Sequence, residues 1–369
     1  MATERTKIGI IGCGNIAHAY MTAGQRFDNI EIVACADLDM DRAKAKAEEH
    51  GIPNPCTVSK LLCDPDIEIV VNLTIPKVHA EIAIATLEAG KHAYSEKPFA
   101  VTREDGLKVL QTAAEKGLRC GCAPDTFLGG GIQTCRKLID DGWIGTPIGA
   151  TAFMMGHGPE RWHPDPDFFY QTGGGPLFDM GPYYLTCLTN LLGATKSVSA
   201  SAGISFAERV VGSGAHKDEI IKVNTPTHVN GIMEFAAGAV GTITTSFDVW
   251  GSEHRNLEIY GSEGTLLVPD PNTFGGPVRI KRQDHEGFIE VPLTHGYTEQ
   301  NRGIGVADMA LAIKSGRPHR ASGELAYHVL DIMHALYDAS RERRYVDLQS
   351  KVERPAALPV GLAPGKLEL

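Results

Sequence analysis

The sequence has no apolar run long enough to span a bilayer, so no membrane association is expected. It has no basic excess either. Against 45 Asp and Glu stand 35 Lys and Arg, a formal charge of −10. No basic stripe offers a footprint for nucleic acid, and the acidic balance reads as solubility. Residues 1–7 lack the basic-then-apolar pattern of a secretion signal. The eight cysteines, at 13, 35, 56, 63, 120, 122, 135 and 187, form no disulfide framework. Both observations point to a reducing compartment, hence a cytoplasmic protein. Cys120 and Cys122 share one face of an expected strand and read as buried small apolar residues before a metal or redox pair. There is no internal repeat and no low-complexity segment.

The 369 residues exceed what one core usually serves, so two domains are the default. The first third alternates strands and helices. Strands are expected at 7–11, 31–36, 67–73 and 118–123, and helices at 16–26, 41–50, 78–89 and 103–116. Thr102 caps the last of these, with Asp105 as its capping-box partner. Such alternation predicts a doubly wound parallel sheet covered by helices. Beyond Pro124 the pattern changes. A helix at 132–141 is followed by strands joined through tight turns, at 227–235 and 240–249, 256–260 and 265–268, and 278–282 and 288–291. These predict a mostly antiparallel sheet, with Leu257 and Ile259 on its apolar face. Late helices are expected at 304–314 and 324–341. The division is placed between residues 1–124 and 125–369.

Gly12-Cys13-Gly14-Asn15-Ile16-Ala17 lies between the first strand and the first helix. Gly12 permits the tight turn and Gly14 the close approach of backbone to a pyrophosphate; the helix start near Asn15 and Ile16 favours that anion. Asp37 closes the second strand, where a carboxylate binds ribose hydroxyls and repels a 2′-phosphate. The expected cofactor is therefore NAD, although Arg42 or Lys44 folding back would weaken the preference. Thr74 and Pro76, at the carboxyl edge of a buried strand, and His79, opening the next helix, are further candidate cofactor contacts. For His79 a purely structural hydrogen bond is the alternative.

Glu96-Lys97-Pro98 carries the chemistry. A lysine at a strand end beside a dinucleotide site can reach a substrate hydroxyl and hold the developing alkoxide. Glu96 is the expected partner of its charge. A second constellation runs from Gly173 to Tyr184, where Asp179 and Tyr183 stand four apart and share a face if helical. The alternative is an Asp179 that caps the helix and a Tyr183 that packs in the core. Residues 154–170 read as a specificity loop with aromatic faces suited to a sugar ring, from which Trp162 and His163 are the expected contacts. Asp125 and Thr126 are expected at the cleft. A metal site from His157, His163 and Asp165 matches no zinc spacing, and none is expected. Arg302, His319 and His328 read as structural.

Gly12–Ala17, Glu96-Lys97-Pro98, the 173–184 segment, 259–264 and Gly316-Arg317-Pro318 together resemble the glucose-fructose oxidoreductase, inositol dehydrogenase and rhizopine catabolism (Gfo/Idh/MocA) family. The resemblance implies a Rossmann domain and a C-terminal α/β domain whose open sheet mediates a homo-oligomer, a dimer or tetramer. It implies oxidation or reduction of a ring hydroxyl of a sugar, cyclitol or glycoside, with the family lysine on Lys97 and the family acid on Asp179. One departure is Tyr183, where many members carry histidine. The expectation is that Tyr183 is the acid/base and that Lys97 depresses its pKa. Rival readings are a redox-neutral, NAD-dependent glycoside-cleaving enzyme and a non-catalytic NAD-binding sensor.

Overall fold

The computed structural model describes residues 5–284 and 286–368. The first four residues of the N-terminal segment, and His285 in the expected 284–287 turn, lie outside the described residues.

The first sheet contains β1 (Thr6–Ile11), β2 (Ile30–Ala36), β3 (Asn54–Cys56), β4 (Ile69–Asn72), β5 (His92–Ser95) and β6 (Cys120–Cys122). All pairs are parallel, in the order β3-β2-β1-β4-β5-β6. Every residue of β4 is buried, as its β-branched run requires for a strand covered on both faces. The chain runs outward from β1 to β3, then returns to lay β4 on the other side of β1. That reversal opens a crevice at the carboxyl ends of β1 and β4, the place where open sheets bind ligands.

Two expectations here are corrected. The helix expected at 16–26 is broken into Ala17–Met21 and Ala23–Arg26. Thr22 sits at the break, and its hydroxyl bonds back to the carbonyls of His18 and Ala19 at 3.2 and 3.1 Å, competing with the helical ladder. Strand β3 and the helix Val58–Cys63 were not foreseen; both are too short for a clear period.

Among the described residues the second sheet has nine strands: β7 (Pro147–Met155), β8 (Thr195–Gly203), β11 (His228–Phe235), β12 (Val240–Ser246), β13 (Leu257–Gly261), β14 (Gly264–Val268), β15 (Val278–Arg282), β16 (Ile289–Val291) and β17 (Val346–Asp347). A separate hairpin, β9 (Glu208–Val210) with β10 (Ile220–Lys222), stands beside it. The large sheet is antiparallel except where β7 meets β12. Strands β7 and β8 were not expected, because glycine, alanine and serine dilute their apolar pattern. Leu257 and Ile259 are fully buried, as the alternation predicts. Helices Gly175–Asp179, Gly181–Leu192 and Gly323–Glu342 cover one face. On the other, β11 exposes Asn230 and Ile232 while burying Val229, Gly231 and Met233.

The last two helices tie the sheets together. Ser322 bridges to Gly121 of β6, and Arg103 in the first half pairs with Asp331 at 2.7 Å and Asp338 at 2.6 Å. Among the described residues no helix is long and apolar enough to cross a membrane.

Candidate active site

The glycine-rich turn is shaped by contact. Gly12 has φ +101°, and a Cβ there would lie 2.6 Å from the Leu73 carbonyl oxygen, so no side chain is tolerated. A Cβ on Gly14 would meet nothing within 4 Å. Gly14 thus leaves open space beside the turn. Asp37 is drawn to the same turn. Its carboxylate accepts from the Cys13 N–H at 2.8 Å and the Asp39 N–H at 2.9 Å. Arg42 does fold back, as the sequence left open, standing 3.7 Å from Asp37 and 3.6 Å from Asp39. Its charge is shared between these two acids. Turn, acid and open face have the chemistry that a bound NAD would need.

Below this turn lies a cleft of about 320 Å³. One wall is Ile16, Thr74, Ile75 and Pro76; the floor is Glu96, Lys97 and Pro98; the far wall is Phe168, Phe169, Gly173, Phe178, Asp179 and Tyr183. Strand β5 delivers Lys97 from the first sheet, and the glycine-rich segment delivers Asp179 and Tyr183 from the second. The Lys97 ammonium donates to the Asp179 Oδ1 and to the Asp179 carbonyl oxygen, each at 2.8 Å. It stands 5.5 Å from the Tyr183 ring centre. Asp179 and Tyr183 do not lie on one continuous helix, since Met180 separates two helical segments. They nevertheless face the same cleft. The Asp179 carboxylate holds a cation and caps no helix.

The expected partner of Lys97 is corrected. Glu96 accepts instead from the Tyr20 hydroxyl at 2.8 Å and the Lys97 backbone N–H at 2.9 Å. Burial works against the Lys97 charge, but Asp179, Tyr183 and Glu96 outweigh it and lift the pKa above the ordinary lysine value. The expectation for Tyr183 is also corrected. Burial pushes its pKa up, and the Lys97 and Arg302 cations only partly offset that. Free of ligand, both groups therefore hold their protons at neutral pH.

Arg302, read as structural from the sequence, belongs here. Its guanidinium donates to the Tyr183 hydroxyl at 3.4 Å and to Asn272 Oδ1 at 2.7 Å. No local pattern marks it; it arrives from a loop some 119 residues away in sequence from Tyr183.

Other candidates fall elsewhere. His79 is buried, with Nδ1 2.7 Å from the Pro98 carbonyl and Nε2 2.9 Å from that of Thr74. It braces the cleft floor against the Thr74 wall rather than lining the cleft. Asp125 is buried, and its Oδ2 accepts from the N–H groups of Gly303 and Gly305 at 2.8 and 3.0 Å. That fixes the loop carrying Arg302. Trp162 is 68 % exposed and outside the cleft lining. His163 sits behind the wall, its ring 5.5 Å from Phe168 and 5.2 Å from Phe169. The 154–170 segment thus presents Phe168 and Phe169 to the cleft where Trp162 and His163 were expected. Among the described residues, His157, His163 and Asp165 do not converge. His157 stacks on Trp250, while His163 accepts from the Asp165 N–H at 3.2 Å. His319 bonds the Cys120 carbonyl and His328 bonds Ser350, both structural contacts.

Residues 6–123 match the oxidoreductase family with NAD-binding Rossmann fold, and residues 132–267 match the GFO/IDH/MocA C-terminal domain. A 1,5-anhydro-D-fructose reductase of Ensifer adhaerens is 27 % identical, over 77 % of this chain and 82 % of that protein. A myo-inositol 2-dehydrogenase of Thermotoga maritima is 21 % identical over 94 % of this chain and 99 % of its own. The fold of levoglucosan dehydrogenase, solved in complex with NADH, superposes with TM-score 0.80 at 24 % identity, over 94 % of this chain and all of that one. With its glycine turn, its acid at Asp37 and both family segments in place, this chain is a member of the Gfo/Idh/MocA family and an NAD-dependent oxidoreductase.

Proposed function

We propose that the protein oxidises or reduces a ring hydroxyl of a sugar, cyclitol or glycoside, with Lys97, Asp179 and Tyr183 at the reacting oxygen. The observation that carries this is an ammonium held by two 2.8 Å bonds to Asp179, beside a phenol, in a cleft next to Thr74 and Pro76. Relatives named for anhydrofructose, inositol and levoglucosan support the substrate class.

Bound NAD supplies the hydride acceptor or, as NADH, the donor. The chain supplies the rest. Lys97 stays charged and stabilises negative charge on the substrate oxygen. Tyr183 gives a proton to that oxygen in reduction and takes one in oxidation. Asp179 fixes the direction of the ammonium and is a positioning residue, as is Arg302 behind Tyr183. Phe168, Phe169 and Phe178 offer apolar faces to the C–H side of a ring and exclude water. We assign these phenylalanines to the substrate in place of Trp162, His163 and Asp125. We also place the division of the chain at 124/125 and infer self-association through the open sheet face around Ile232.

The test is a screen of sugars, inositols and glycosides with NAD⁺. The reading requires NADH in proportion to product. Product without NADH identifies the redox-neutral glycoside-cleaving reaction, and NAD binding with no turnover of any class identifies a sensor.

A further inference from the structure

The proposed reaction leaves one cluster of ligating side chains unused. His18 lies on the helix Ala17–Met21, directly after the glycine turn. Glu49 and His50 close the helix Met40–His50, which follows Asp37. Their ligand atoms all lie within 4.8 Å of one another, and among the described residues no other such group of three exists. Glu49 Oε1 stands 3.4 Å from His18 Nδ1 and 3.4 Å from His50 Nε2. Ligands bound at about 2.0–2.1 Å to a tetrahedral ion are separated by roughly 3.3–3.4 Å. Both edges therefore already match a shared ion.

A second observation points the same way. The His50 side chain is only 5 % exposed, and among the described residues its Nε2 has no hydrogen-bond partner. A buried ring nitrogen without a partner is costly in a folded protein. The other Glu49 oxygen, Oε2, is held by Lys46 at 2.6 Å. That contact orients the carboxylate so that Oε1 faces both imidazoles.

We propose that His18, Glu49 and His50 form a divalent transition-metal site that staples the helix after the glycine turn to the helix after Asp37. Two imidazoles and one carboxylate suit Zn²⁺, Ni²⁺ or Co²⁺, and exclude the all-oxygen sets that Mg²⁺ and Ca²⁺ prefer. Water completes the shell, since His18 and Glu49 are 61 % and 47 % exposed. The neighbouring Lys46 charge limits affinity. The site lies outside the cleft and does not depend on the substrate class assigned there.

The experiment uses the untagged full chain, stripped with chelator. Titration with Co²⁺ is followed by its visible d–d absorption, and with Zn²⁺ by calorimetry and thermal unfolding. One equivalent of either ion should bind, and Zn²⁺ should raise the unfolding temperature. His18→Ala and His50→Gln should each weaken binding by roughly tenfold or more. His18 is exposed, so its variant tests the site even if His50→Gln disturbs the helix end. Co²⁺ without a d–d band, or Zn²⁺ binding unchanged in His18→Ala, overturns the proposal.

Discussion

Lys97 and Asp179 meet through two hydrogen bonds, one to the carboxylate and one to the backbone carbonyl of the same residue, both at 2.8 Å. Neither bond is available to a side chain without a terminal donor, and the second does not depend on the acid's side chain. Lys97→Met should therefore lower kcat by roughly 10²–10³-fold. Asp179→Asn should cost less, because the carbonyl still holds the ammonium. Steady-state kinetics on the substrate found by screening checks this order, with NAD affinity as the control. Equal losses would mean that Asp179 itself contacts the reacting oxygen.

The acid/base role proposed for Tyr183 predicts a pH dependence. Burial raises its pKa above that of free tyrosine, although Lys97 and Arg302 pull the other way. The phenol is protonated at neutral pH, so reduction finds its proton in place while oxidation needs that proton removed. For oxidation, kcat/KM should rise with pH through the neutral and alkaline range. Tyr183→Phe should abolish the rise. Arg302→Met removes one cation, so the rise should move to higher pH. A pH profile unchanged by Arg302→Met would leave that arginine with a purely structural role.

If Asp37 holds the ribose as expected, it should decide the choice of dinucleotide. Its two oxygens already accept from Cys13 and Asp39 N–H groups, leaving lone pairs for a ribose. The wild type should bind NAD⁺ more tightly than NADP⁺ by calorimetry. Asp37→Asn keeps the acceptor for Cys13 but loses the charge. It should weaken NAD⁺ by roughly tenfold, the worth of a charge-assisted bond, and narrow the gap to NADP⁺.

Asp125 contributes a pH-dependent stability term whose sign follows from burial. Burial raises its pKa to about 6, and the Gly305 N–H and Arg302 only partly offset this. An unfolded aspartate titrates near ~3.9. Between these values the folded chain holds the proton more tightly, so this group's contribution falls as pH rises. Above the window the ionised carboxylate is a constant cost. The stability of Asp125→Asn relative to wild type should therefore grow from about pH 4 to pH 6 and then level off. Denaturant unfolding at several pH values measures this, and a flat difference would contradict it.

Gly12→Ala should disrupt the turn itself. The added methyl meets the Leu73 carbonyl at 2.6 Å on a backbone with φ +101°. Loss of NAD binding with a lowered unfolding temperature is expected. Gly14→Ala, which meets no protein atom, should keep stability and lose only NAD affinity.

Much of this protein could be read in its sequence because the informative signals are local. The period of the first third defines a parallel sheet, and Gly12, Gly14 and Asp37 mark its crevice, since each acts through backbone near its own position. Lys97, Asp179 and Tyr183 could be chosen as chemical groups for the same reason. Only the tertiary structure decided their partners. Asp179 displaces Glu96 beside Lys97, Arg302 reaches Tyr183 from a distant loop, and Phe168 and Phe169 take the wall expected of Trp162 and His163. Asp125 leaves the cleft to anchor two glycines. These outcomes depend on how two sheets pack against each other, and the net charge state of a buried group depends on every neighbour that packing brings. A residue's own sequence context holds neither.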